Sequence, residues 1–292
     1  MANWIQMLTG PPDGPETAVL HLFGGPYITV DRRRMEVPEG SKRLLAFVAL
    51  HDRRVERRHA AGTLWPGGDD LRAAGNLRSA LWRLKRACVP LIVADKCSLS
   101  LRDDLLVDLH VVNEWARRLI NGSEASSDLV VLPWGLDSLD LLPGWYDDWA
   151  LMEGERVRQR LLHALEALSV AFLRSGRCGE AIEAAMLAVS SEPLRESAQR
   201  VLIEAHIAEG NWVEGRRHFD AYRHLLLREL GIEPHSLLSD LMARNGDLES
   251  TPSSLQQKRG RSDDGVVRTT TLSHTQNSRR APPMAIRRPN SA

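Results

Sequence analysis

Cysteine is scarce in this chain: three residues in 292, Cys88, Cys97 and Cys178, scattered and without a CxxC pair. That excludes a disulfide framework and gives no zinc-site spacing, and it fits a reducing compartment. Charge of one sign is also lacking. Lys plus Arg and Asp plus Glu balance at 38 each, so no long-range field draws the whole protein to a polyanion, and any nucleic-acid binding must come from local clustering. No stretch reaches the roughly 18 uninterrupted apolar residues of a membrane span. The N-terminus MANWIQMLTGPPDGPE has neither a basic n-region nor a long apolar h-region, so the protein is expected to be cytoplasmic and not membrane-bound. Catalytic signatures are missing as well: there is no GxxxxGK[ST], no GxGxxG after a strand and no HExxH. The nearest convergence of acids and a base is Asp147, Asp148 and Glu153 with His163, which a helix cap followed by surface charges explains more simply. No enzyme, cofactor or metal is expected, and His206 and His218 read as packed or half-exposed histidines.

What is present is ordinary globular composition, 43% hydrophobic and 26% charged, in a length that suggests about two domains. The stretch LWPGGDDLRAAGNLRSALWRLKRA at 64–87 stands out. From Asp70 onward, Leu71, Ala74, Leu77, Leu81 and Leu84 recur at the three- and four-residue steps of an amphipathic helix. The other face carries Arg72, Asn76, Arg78, Ser79, Arg83, Lys85 and Arg86, with no acid after Asp70. Asn76, Ser79 and Arg83, at i, i+3 and i+7, are expected to project together, opposite the leucines. Arg can fork onto guanine and Asn onto adenine in a major groove, and a small hydroxyl residue permits close approach. The same composition also suits a basic surface helix with no partner.

The neighbouring segments decide how that helix is used. Residues 1–17 read as a loose arm. Short β-prone runs at Val19–Phe23, Tyr27–Val30 and Met35–Val37 predict a small antiparallel sheet. Ser41 is a plausible N-cap for a buried helix over KRLLAFVALHD, and a second helix is predicted from Arg57 to Leu64, ended by Pro66 and Gly67-Gly68. Beyond the basic helix, Leu91–Ala94 and Cys97–Leu101 flank a hairpin turn at Asp95-Lys96. Sheet, helix, helix, basic helix, hairpin is the order of a winged helix-turn-helix of the OmpR-like kind over residues 18–107, with Lys96, Ser98 and Arg102 as wing candidates for phosphate or minor-groove contact.

A helix opened by Asp108 and stopped at Asn121-Gly122 joins this region to a helical second half, taken over 108–248. From Asp147 or Asp148 the pattern is helical almost without break. SGRCGEA at 175–181 and EGNWVEG at 209–215 align at an offset of 34 residues, which also sets Leu168 on Leu202 and Ala171 on Ala205. That is the period of tetratricopeptide repeats. Gly231 and Pro234 then precede a last capping helix. Residues 251–292 hold eight Lys or Arg against two Asp and read as a disordered basic tail, either a DNA tether or a solubilising end. The fold class is therefore mainly α with a small β component, a winged helix-turn-helix followed by a tetratricopeptide-like repeat domain.

On LWPGGDDLRAAGNLRSALWRLKRA in the first region, and LLPGWYDDWALMEGERVRQRLLHALEALS, AVSSEPLRESAQRVLIEAHIAEGNW and LLLRELGIEP in the second, the chain resembles the actinobacterial SARP-type regulators. These join an OmpR-like winged helix to a bacterial transcriptional activator domain. The resemblance implies an activator of a specialised-metabolite (antibiotic) gene cluster that binds double-stranded DNA at direct repeats near promoters, as a homodimer or cooperative oligomer, and recruits RNA polymerase. It places Asn76, Ser79 and Arg83 toward the major groove and the loop Trp65, Pro66, Gly67, Gly68, Asp69, Asp70 against polymerase. The wing VADKCSLSLRDD lacks the Arg-Gly-x-Gly-Tyr type of tip, and Trp82 stands where many relatives carry a smaller or basic residue. No receiver domain accompanies the two modules, so control by phosphorylation of one is not expected. Two other readings remain: a protein-interaction scaffold whose repeats bind a partner, and a regulator whose repeats sense a small ligand.

Overall fold

A computed structural model describes residues 18–31, 33–51, 54–87, 91–131 and 140–249. The N-terminal arm, Cys88, the middle of the connector and the basic tail lie outside the described residues. The chain opens with strands β1 (Ala18–His21), β2 (Tyr27–Val30) and β3 (Arg33–Glu36), which pair as an antiparallel meander, with Ala18 opposite Val30 and Tyr27 opposite Glu36. A fourth strand, β7 (Leu106–Val107), lies parallel to β1 on its other edge. At two residues it is too short to give a periodic signal, and the expected antiparallel sheet is in fact mixed.

Helix α1 (Glu39–Ala49) buries Leu44 to Ala49 without interruption. Ser41, expected as its cap, lies inside the first turn with Pro38 at the cap position. The Ser41 hydroxyl instead donates to the carbonyl of Ala80, 2.8 Å away on another helix, with both groups buried. A short strand β4 (Val55–Glu56) leads into α2 (Arg57–Leu64), with the predicted bounds, and α3 (Asp70–Ala87) follows. Strands β5 (Ile92–Ala94) and β6 (Ser98–Leu101) form the expected hairpin, and β4 adds to it in the order β4-β6-β5. Its turn is closed by Asp95 N–H donating to Ser98 O, so the tip is Lys96-Cys97, one residue beyond the expected position.

Helix α4 (Asp108–Ile120) lies over β1 and β7 and ends at Asn121-Gly122 as predicted. Its cap position is Val107, while the Asp108 carboxylate is buried and accepts from the backbone N–H of Leu22, Phe23 and Leu109. A single 3-10 turn, Ser126–Asp128, is tied back to α4 by Trp115 Nε1–H donating to Asp128 O and by the Arg118–Asp128 ion pair. Four further helices match the repeat reading: α5 (Asp148–Arg174), α6 (Cys178–Ser191), α7 (Glu196–Ala208) and α8 (Trp212–Leu230), closed by α9 (Ser236–Glu249). The offset of 34 holds at atomic detail. Gly176 N–H donates to Leu173 O and Arg177 N–H to Phe172 O, while Gly210 N–H donates to Ile207 O and Asn211 N–H to His206 O. Both glycines have positive φ, +72° and +86°, the left-handed helix end that glycine adopts without strain.

One apolar core begins between β1, β2 and α4 and continues without a break through α5, α6 and α7. A second, formed by Leu44, Phe47, Leu64, Ala73, Leu77, Ala80 and Leu99, fills the winged-helix region. Helix α3 contributes to both, through Leu84 to the first and Ala73, Leu77 and Ala80 to the second. The boundary read at 107/108 thus falls inside continuous packing, between β7 and α4. Arg43 of α1 pairs with Asp147 before α5, and the Phe47 ring meets Trp149 edge-on at 5.3 Å. Asp147 occupies the cap position of α5, but its carboxylate serves Arg43 and makes no cap bond.

Candidate nucleic-acid interface

The third helix is held from three sides before it presents anything outward. At its start, Asp69 accepts from the backbone N–H of Arg72 at 2.7 Å, capping the first turn. In its middle, the Ser41 bond to Ala80 fixes it against α1. Its buried stripe is Ala73, Leu77, Ala80 and Leu84, and this corrects the leucine stripe read from the sequence. Leu71 is 82% exposed, and Ala74 and Leu81 are half-buried at the margins. The core accepts the small residues Ala73 and Ala80 where α1 comes close, which turns the helix away from the orientation that leucine positions alone suggest.

With the stripe so placed, helical steps of 100° put Leu71, Gly75 and Trp82 on the outermost line, with Arg78 and Lys85 to one side and Ser79 and Arg86 to the other. Arg72, Asn76 and Arg83 form a further row beyond Ser79. Asn76 is half-buried, whereas Arg72, Arg78, Ser79, Arg83, Lys85 and Arg86 are exposed. Asn76, Ser79 and Arg83 therefore share one flank rather than the apex. Arg83 Nη2 donates to the Gly40 carbonyl at 3.2 Å, so this flank faces the beginning of α1. Among the described residues no carboxylate pairs with Arg72, Arg78, Arg83, Lys85 or Arg86. In the repeat region most arginines do the reverse: Arg156, Arg158, Arg177, Arg195, Arg200, Arg216, Arg217 and Arg223 each face a Glu or Asp, while Arg160 donates to Asn113.

The hairpin brings a second, smaller set of groups. Asp95 accepts from Cys97 N–H, Ser98 N–H and the Ser98 hydroxyl at 2.6–2.7 Å, bonds that hold its carboxyl down to about 2. The turn is thereby fixed and Lys96 stands exposed at its tip. Arg102 lies at the other end of β6, gripped by Asp104. Its charge is already matched, so of the three wing candidates only Lys96 offers an uncommitted donor. Two arginines that the sequence reading passed over, Arg54 and Arg57, sit behind the turn: Arg54 lies 3.7 Å from the Asp95 carboxylate and Arg57 donates to the Asp95 carbonyl. The signal was available in the basic run around Val55. The loop from Trp65 to Asp70 leaves Trp65 half-buried against the winged-helix core and Pro66, Gly67, Gly68, Asp69 and Asp70 exposed, with Asp70 3.4 Å from Arg58.

Glu153 faces Arg156 on its own helix. His206 and His218 stack at 5.0 Å, and burial lowers the His206 pKa, with His218 adding to the shift. Among the described residues no group of three or more His, Cys, Asp or Glu is placed to hold a metal ion, and no helix is long and apolar enough to cross a membrane.

The described chain is thus a winged-helix-like region followed by helical repeats. Residues 134–244 match the family model of the bacterial transcriptional activator domain. Among solved structures, Mycobacterium tuberculosis EmbR, in a complex with a low affinity phosphopeptide, is similar at a TM-score of 0.59 and 18% identity, over 80% of this chain. The match spans 66% of the EmbR chain, and at this identity the likeness is one of fold. No curated protein sequence matches the chain.

Proposed function

We propose that this protein is a sequence-specific DNA-binding transcriptional activator, acting at the nucleoid, that reads repeated promoter sites with α3 and recruits RNA polymerase. The observation that carries this reading is the contrast in charge pairing. Most arginines of the repeat region face a carboxylate, whereas all five cations on α3 are exposed and unmatched by a carboxylate among the described residues. A protein of zero net charge that leaves one helix so unbalanced has a local site for a polyanion. Asn76, Ser79 and Arg83 supply base-reading groups on one flank, and Arg72, Arg78, Lys85, Arg86 and Lys96 supply phosphate contacts. In this reading Arg102 joins them only after leaving Asp104. The loop Trp65–Asp70, exposed from Pro66 onward and adjoining the start of α3, is the surface offered to polymerase, and the repeat domain orients two or more copies on the DNA. The genes controlled are those of a specialised-metabolite cluster, as the resemblance to SARP-type regulators implies.

Footprinting on DNA upstream of its own and neighbouring genes, followed by affinity measurements on the protected duplex, tests this. Arg83→Ala should cost about 1–3 kcal/mol on the protected site and relax its sequence preference. Arg86→Ala should weaken binding to all duplexes alike and flatten the salt dependence. Equal losses on protected and random DNA for both variants would refute the assignment.

A further inference from the structure

Four arginines among the described residues lie over an aromatic ring: Arg34 over Tyr27, Arg86 over Trp82, Arg177 over Phe172 and Arg216 over Phe219. Three of them also hold a carboxylate, Glu36, Glu180 and Asp220 respectively. Arg86 has none among the described residues. Its guanidinium is 4.9 Å from the Trp82 ring centroid, one helical turn along α3, and the indole is 59% exposed on the outermost line of that helix. A cation in the last turn is favourable to the helix dipole by itself. An aromatic ring that fixes where its guanidinium points contributes nothing to that effect. Stacking over the ring leaves the N–H edges of the guanidinium free, and those edges match a phosphate bidentately.

We propose that Trp82 is a positioning residue for DNA binding: its ring holds the Arg86 guanidinium outward so that it meets a backbone phosphodiester. Trp82 acts through Arg86 and not on a base. The inference rests on the DNA-binding reading above and assigns a role to an exposed aromatic that the reading leaves unused.

The test uses the full chain as wild type, as the single variants Trp82→Leu, Trp82→Phe and Arg86→Ala, and as the double variant that combines Trp82→Leu with Arg86→Ala. Affinities are read by fluorescence anisotropy on the footprinted duplex, on that duplex with deoxyuridine in place of thymidine, and on random duplex, each across a salt series. Trp82→Leu should weaken binding about two- to fivefold on all three duplexes, the scale of an exposed cation–π contact. It should flatten the salt slope as Arg86→Ala does, and add nothing to Arg86→Ala in the double variant. Trp82→Phe, which keeps a ring, should restore most of the loss. A loss confined to the thymidine-containing site would make Trp82 a reader of thymine methyls and overturn the proposal, as would additive losses or no loss. Absence of any preference by the wild type for the footprinted duplex would fail the parent reading instead, and the comparison on random DNA would still decide the role of Trp82.

Discussion

Asp108 is buried to 1% exposure, and burial pushes its pKa up to about 7 against the downward pull of the backbone N–H groups of Leu22, Phe23 and Leu109. His21 Nδ1 lies 3.7 Å from that carboxylate, and burial, with Arg34 adding to it, lowers its pKa to about 4. The two shifts act on stability with opposite sign. The ring is neutral in the folded state at pH values where an unfolded chain, titrating at 6.5, would already be protonated. Stability from His21 is therefore full above about 6.5 and is lost as pH falls toward 4, while stability from the protonated Asp108 is full near pH 4 and lost as pH rises through 7. His21→Gln keeps a polar group for Thr29, the partner of Nε2 at 2.9 Å, and removes the titration. Its cost in urea unfolding should be larger at pH 7.5 than at pH 5; a cost that grows on acidification would contradict this assignment. Residue chemistry of this kind was only partly legible in the sequence. Asp108 was placed correctly at a helix start, but its partners are 85 and 86 residues away, and a long-range bond leaves no local pattern. Ser41 has the composition of a cap and serves instead as a bond between helices, for the same reason.

At the scale of elements, periodicity and turn chemistry located almost everything long enough to have a period. Helix α2, the start of α3, the hairpin and the 34-residue repeat were all readable, because each is set by short-range sterics. The orientation of α3 was not. Leu71 satisfies the leucine spacing yet is solvent-exposed, since α1 packs so close that alanines at 73 and 80 take the buried positions. The repeat turns give the sharpest prediction at this scale. Gly176 and Gly210 have open space where a Cβ would go, so substitution there acts through backbone conformation alone. Gly176→Ala and Gly210→Ala should each destabilise by about 1 kcal/mol, the left-handed penalty of roughly 1–2 kcal/mol less what the variant gains by restricting the unfolded chain. Gly179→Ala, inside α6 with equally open surroundings, should be neutral or stabilising by up to about 1 kcal/mol. Denaturant unfolding of the three variants separates these outcomes, and equal effects at all three positions would remove the turn argument.

For the molecule as a whole, two sequence-level modules share one continuous core, and the winged-helix region touches the repeat domain through Phe47 and Trp149 and through Arg43 and Asp147. Composition could place the modules in order but not show that the join is packed, since contact between distant segments is a property of the folded chain. The charge distribution has the same character. A net charge of zero conceals a helix whose cations no carboxylate matches among the described residues and a repeat region where most arginines face one. The measurement that bears most directly on this account is competition binding of the full-length protein to upstream DNA, against excess random duplex, at two salt concentrations. The account predicts a complex that random DNA does not displace. With Arg72, Arg78, Lys85, Arg86 and Lys96 as the phosphate contacts of each copy, its affinity should fall with salt at a logarithmic slope no steeper than about −5 per bound copy. A complex removed equally by random DNA, or no complex at low salt, would contradict it.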